Sequence, residues 1–147
     1  MSDTRREQIR TACRFALAGL YLVAAGFHLA KPHPFVTIVP PWVPWPAQTV
    51  FLTGVAEGSG ALALLQPWSA RLRRLAGAGL AAYAVCVYPA NVQHMLLDLG
   101  RPGHGLGLAY HVPRLAAQPL IVWLALWCGR VTEWPFAPSR PVGPPAG

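Results

Sequence analysis

Residues 51–66 read FLTGVAEGSGALALLQ. The stretch is apolar enough for lipid, yet it holds a carboxylate, Glu57, near its middle. A carboxylate at membrane depth is costly, so it faces a partner, a cavity or a ligand rather than lipid. Gly54, Glu57, Gly58 and Ala61 recur at i, i+3, i+4 and i+7 and share one helix face. Gly54 and Gly58 form a small-xxx-small pair, which lets another helix approach closely. One face therefore offers both a docking surface and an acid. Extended to residues 47–66, the pattern predicts a helix of membrane length. Glu57 lies nine residues beyond Gln48, about 14 Å along a helix and close to the middle of a bilayer core.

The chain has 147 residues, of which 12% are charged, and its mean hydropathy is +0.37. These values fit one membrane domain better than an average soluble one. The net charge is +7, but the arginines flank the apolar runs instead of forming a stripe. That placement argues against nucleic acid as a partner and fits the positive-inside rule. Cys13, Cys86 and Cys128 form no CxxC pair, which speaks against a dithiol redox site. All three read as buried structural thiols.

Three further spans are expected outward from the central one, over residues 12–30, 75–95 and 114–129. Residues 1–11 form a basic cytoplasmic start, with Thr4 and Glu7 at capping-box spacing. The Arg-rich start and the small residues Ala24, Ala25 and Gly26 also resemble a signal peptide. The long apolar run and the spans that follow favour an uncleaved anchor. Residues 31–46 carry six prolines and two tryptophans, Trp42 and Trp45, and read as an irregular lid at the outer interface. Arg71, Arg73 and Arg74 mark a short inner loop. Pro89 is expected to kink the third span or unwind one turn. Residues 98–113, with five Gly or Pro residues before His111, read as an outer loop. Residues 131–147 read as a Pro-rich disordered tail. The expected fold is all-α, a four-helix transmembrane bundle over residues 12–130 with both termini cytoplasmic.

Several motifs follow one another in a familiar order. They are Gly26-Phe27-His28, Pro34-Phe35, residues 38–44 (IVPPWVP), Thr53-Gly54-Val55-Ala56-Glu57 and Tyr88-Pro89-Ala90-Asn91, then Arg114-Leu115 with Gln118. Together they resemble the DoxX family of small bacterial membrane proteins. Ala116 stands where that family's Arg-Leu-Pro-Leu-Gln stretch has proline. The resemblance implies a four-helix bundle in the bacterial cytoplasmic membrane. It also implies a membrane subunit of an oxidoreductase complex, with quinone as the cofactor and a soluble or membrane redox partner.

His28, Asn91, His94, Arg114 and Gln118 lie at the outer ends of their spans, with Glu57 deeper. Their inward-facing members are expected to line one outward-facing cavity. Glu57, His28 and His94 are the candidate catalytic groups, moving protons to or from a quinone or similar headgroup. Asn91, Arg114 and Gln118 are the candidate substrate-binding groups, with Glu57 placed to relay a proton or to hold Arg114. Against this stand plainer roles. Glu57 serves equally as interhelical glue, Asn91 as a partner for backbone freed by Pro89, and the histidines and Arg114 as interface residues. The pairs His28 with His33 and His104 with His111 fit no compact metal motif, so no metal is expected. Haem held by His28 and His94 is a weak option. The rival functions are a small proton-coupled transporter using Glu57, as a homodimer built on Gly54 and Gly58, and a structural membrane anchor.

Overall fold

The computed structural model describes residues 2–136, and their secondary structure is helical throughout. There are five helices: α1 (Asp3–Ala30), α2 (His33–Val36), α3 (Pro46–Leu65), α4 (Ala70–Leu99) and α5 (Gly107–Cys128). Four of them pack as an up-down-up-down bundle, and α2 is a single turn in the lid. Each long helix packs chiefly against two others, in the ring α1–α3–α4–α5–α1. The two most extensive contacts are α1 with α3 and α4 with α5.

Small residues set both of these contacts. A Cβ on Gly54 would lie 2.9 Å from the His28 Cβ, and one on Gly58 would lie 3.6 Å from the Ala25 Cβ. The expected small-residue stripe therefore seats the chain's own α1. A Cβ on Gly77 would lie 2.6 Å from the Ala125 carbonyl oxygen and 2.7 Å from the Gly129 Cα. Here backbone meets backbone between α4 and α5.

The helix bounds differ from the sequence reading in instructive ways. α3 departs from it by one residue at each end. α1 starts at Asp3, where the Ser2 hydroxyl accepts from the Arg5 amide at 3.4 Å, so Ser2 rather than Thr4 is the cap. α4 starts at Ala70, capped by Ser69 on the Leu72 amide at 3.1 Å, and it runs unbroken through Pro89. The expected unwound turn is not formed. α5 starts seven residues before Arg114 and contains Pro113 and Pro119. His111 is thus a helix residue and not part of a loop.

The apolar core fills the half of the bundle nearest the arginines. Leu17, Ala18, Ala61, Leu64, Leu80, Ala125 and Trp127 are all at most 4% exposed. Outside, the helices display Phe15, Val23, Phe27, Leu52, Leu62, Leu75, Val85 and Leu120, each more than half exposed. Two helices, α1 and α4, are long and apolar enough to cross a membrane.

At the arginine end, residues 131–136 fold back on the bundle. Arg10 is 3% exposed; it bonds Glu133, lies 3.2 Å from Glu7 and sits over the Trp127 ring at 5.0 Å. The Arg6 guanidinium donates to the Phe136 carbonyl at 2.7 Å. The rest of the expected disordered tail, residues 137–147, lies outside the described residues. The hydrogen bond from Arg10 holds the Glu133 carboxyl below the usual carboxylate range. A depressed pKa stabilises the fold above the unfolded value, and that contribution disappears as pH falls through the folded value. Glu133→Gln is therefore expected to lower the melting temperature at neutral pH. The two melting curves, measured against pH, should converge below 4.5, the ordinary value for this group.

Candidate functional site

The half of the bundle away from Arg10, Arg14 and Arg73 holds a cavity of about 440 Å³. It lies between the α1–α3 pair and the α4–α5 pair, and the lid closes over it with Phe35, Ile38, Val39, Trp42 and Val43. Five of the six candidate site residues line it: His28, Glu57, Asn91, Arg114 and Gln118. His94 does not line it.

The α1–α3 wall carries the acid. Glu57 is 5% exposed and stands one turn from Gly54, whose missing side chain brings α1 close enough for His28 to reach it. His28 Nδ1 lies 2.9 Å from Glu57 Oε2. The same nitrogen is 2.9 Å from the Ala24 carbonyl and is better aligned with it. The Glu57 contact is thus one of proximity, and Oε2 is buried with no aligned donor. The His28 ring also stacks on Phe35, with centroids 4.0 Å apart.

The α4–α5 wall carries a directed chain of hydrogen bonds. Arg114 donates to Asn91 Oδ1 at 2.6 Å. Asn91 Nδ2 donates to Gln118 Oε1 at 3.2 Å, and Gln118 Nε2 donates to the Ala84 carbonyl at 2.7 Å. A guanidinium can only donate and a carbonyl can only accept, so the two ends fix both amide orientations. Arg114 also donates to His94 Nδ1 at 3.2 Å. The expected Glu57–Arg114 pair is not formed, since the two groups sit on opposite walls. Arg114 has no carboxylate partner among the described residues.

His94 belongs instead to a cluster around Asp98, a residue the sequence reading passed over. Asp98 is 1% exposed and His111 is 0% exposed. His111 Nε2 lies 3.1 Å from Asp98 Oδ2 and His94 Nε2 lies 3.5 Å from it. The Leu106 amide donates to Oδ2 at 3.1 Å, and Arg101 binds Oδ1 at 2.9 Å. One sequence signal was available: His94 and Asp98 are i, i+4 and share a helix face. The cysteines also differ from expectation. Cys128 is buried, Cys13 is half-buried, and Cys86 is exposed on the cavity wall.

A family model, described as a domain of unknown function, DUF8561, matches residues 17–129. The chain belongs to the DUF8561 family. No curated protein and no solved structure matches it. The match names DUF8561 and not DoxX. The DUF8561 stretch begins at Leu17, in the core of α1, and ends at Gly129, just past α5. It spans both cavity walls, the lid and the Asp98 cluster. In this DUF8561 chain a buried carboxyl beside an imidazole, and a guanidinium with no carboxylate partner among the described residues, face one apolar space from opposite sides. That arrangement suits a flat, mostly apolar molecule with a polar atom at each end.

Proposed function

We propose that this DUF8561 protein is a DoxX-like integral membrane subunit of an oxidoreductase complex whose cavity holds a quinone-type headgroup. The carrying observation is that a buried carboxyl, Glu57, and a guanidinium with no carboxylate partner among the described residues, Arg114, line opposite walls of an apolar cavity of about 440 Å³. The apolar exterior supports the membrane setting, because exposed apolar surface of this extent marks contact with lipid or a partner. Arg5, Arg6, Arg10, Arg14, Arg71, Arg73, Arg74 and Arg130 at one end and the exposed Trp42 and Trp45 at the other fit a protein lying across a bilayer.

A quinone-type ring supplies two-electron chemistry coupled to protons. Arg114, held by Asn91 and His94, would bind the ring oxygen on its side. Glu57 Oε2 would exchange a proton with the opposite oxygen, and His28 stands 2.9 Å away to pass it on. The DoxX resemblance favours a separate redox chain for the other half of the reaction. The rival proton-coupled transporter needs a path from Glu57 to the arginine end. Ala61 and Leu64, one and two turns further on the same face, are both 0% exposed, which argues against such a path along α3.

A charge-assisted hydrogen bond contributes about 1.5–3 kcal/mol. Glu57→Gln and Arg114→Gln are therefore each expected to weaken binding of a short-chain quinone analogue roughly tenfold to a hundredfold. Binding to purified protein in detergent, with melting temperature measured alongside, checks this. Unchanged affinity in both variants would sink the proposal.

A further inference from the structure

We infer that His94, Asp98 and His111 form a binding site for a divalent transition-metal ion beside the cavity. Their three ligand atoms lie within 4.8 Å of one another. His111 Nε2 and His94 Nε2 stand 3.1 and 3.5 Å from the same Asp98 oxygen. Bonds of about 2.0–2.2 Å to a shared ion put neighbouring ligand atoms roughly 3–3.5 Å apart, so the two histidine–aspartate spacings are already close to the bound ones.

Hydrogen bonds to Asp98 account for His111, Leu106 and Arg101 but not for His94, which makes none to it at 3.5 Å. Asp98 Oδ2 is approached by three nitrogen donors, His111, His94 and the Leu106 amide, while Oδ1 takes Arg101. One cation among the three side chains would replace two imidazole protons crowding one oxygen. Leu106 and Arg101 would remain as the outer partners that orient a ligating carboxylate. Asp98 and His111 are shut in, while the His94 side chain is 21% exposed and gives the ion a way in. Two imidazoles and one carboxylate suit zinc, cobalt or iron(II) better than magnesium or calcium, and leave a coordination position open.

Arg114 ties this site to the cavity. In the metal-free form it donates to His94 Nδ1, which keeps the ring proton on Nε2. With an ion on Nε2 the proton moves to Nδ1 and meets the guanidinium donor to donor. Arg114 must then turn away, and the cavity it already lines is the space beside it.

The full chain, purified in detergent and stripped with a chelator, is titrated with Co²⁺ and then Zn²⁺. One Co²⁺ per chain is expected, with a visible absorption band that Zn²⁺ abolishes. His94→Gln and His111→Gln should each weaken binding more than about 100-fold, beyond what loss of an outer partner does. His104→Gln, at an exposed histidine outside the cluster, should leave binding unchanged. Because His111 is wholly buried, the His94 variant decides if the other does not fold. No stoichiometric Co²⁺ in the wild type, or wild-type affinity in His94→Gln, overturns the inference.

Discussion

Asp98→Ala, in protein stripped of metal, is expected to cost about 3–5 kcal/mol of stability, the loss typical of removing one member of a buried charged network. The carboxylate is 1% exposed and serves four groups from three segments. Without it the His111 ring N–H and the Leu106 amide both lose their acceptor, at about 1–3 kcal/mol for each buried donor left unmatched. Residues 100–106 also lose their tie to α4 through Arg101 and Leu106. Asp98→Asn should fare little better, because its amide group points a donor where donors already converge. Denaturant unfolding in detergent measures the loss, and limited proteolysis should find residues 100–106 newly cleavable. A loss under about 1 kcal/mol, no more than an ordinary hydrogen bond contributes, would show that the cluster does not hold this end together.

Gly77→Ala is expected to cost about 3 kcal/mol, at the upper end for overpacking a tight contact. The new Cβ would meet the Ala125 carbonyl oxygen at 2.6 Å and the Gly129 Cα at 2.7 Å. Both are backbone atoms, so no rotamer change relieves the clash and α4 must move off α5. Gly79, two residues along the same helix, has nothing within 4 Å of its would-be Cβ. Gly79→Ala should therefore be neutral, or stabilising by up to about 1 kcal/mol from helix propensity. Melting both variants in the same detergent tests the pair. Equal behaviour would mean that the close α4–α5 approach does not carry stability.

The contrast between α3 and α5 shows what the sequence could convey. α3 is a clean apolar run bounded by prolines, and its ends were legible to a residue. The start of α5 was not, because Gly105, Gly107 and Pro113 are all punctuation in a one-dimensional reading. Packing against α4 overrides that signal and turns seven residues of expected loop into helix. The error carried His111 away from His94 and Asp98, so the Asp98 cluster could not be assembled. The cavity lining was more legible, since Glu57, His28, Asn91, Arg114 and Gln118 are polar residues in apolar spans and must point inward. Which of them pair was not legible. Pairing depends on which helices adjoin, and α1–α3 and α4–α5 adjacency put Glu57 and Arg114 on different walls.

Gly54 and Gly58 lock α1 to α3, Gly77 and Gly129 lock α4 to α5, and the cavity occupies the seam between the two locked pairs. The protein thus has the mechanics of a clamp with two stiff jaws. Glu57 and His28 line one jaw, Arg114, Asn91 and Gln118 line the other, and under the proposed function these are the two grips. A molecule held at both ends bolts the jaws together, so an occupied protein should resist unfolding as one unit, where an empty one can part along its seam.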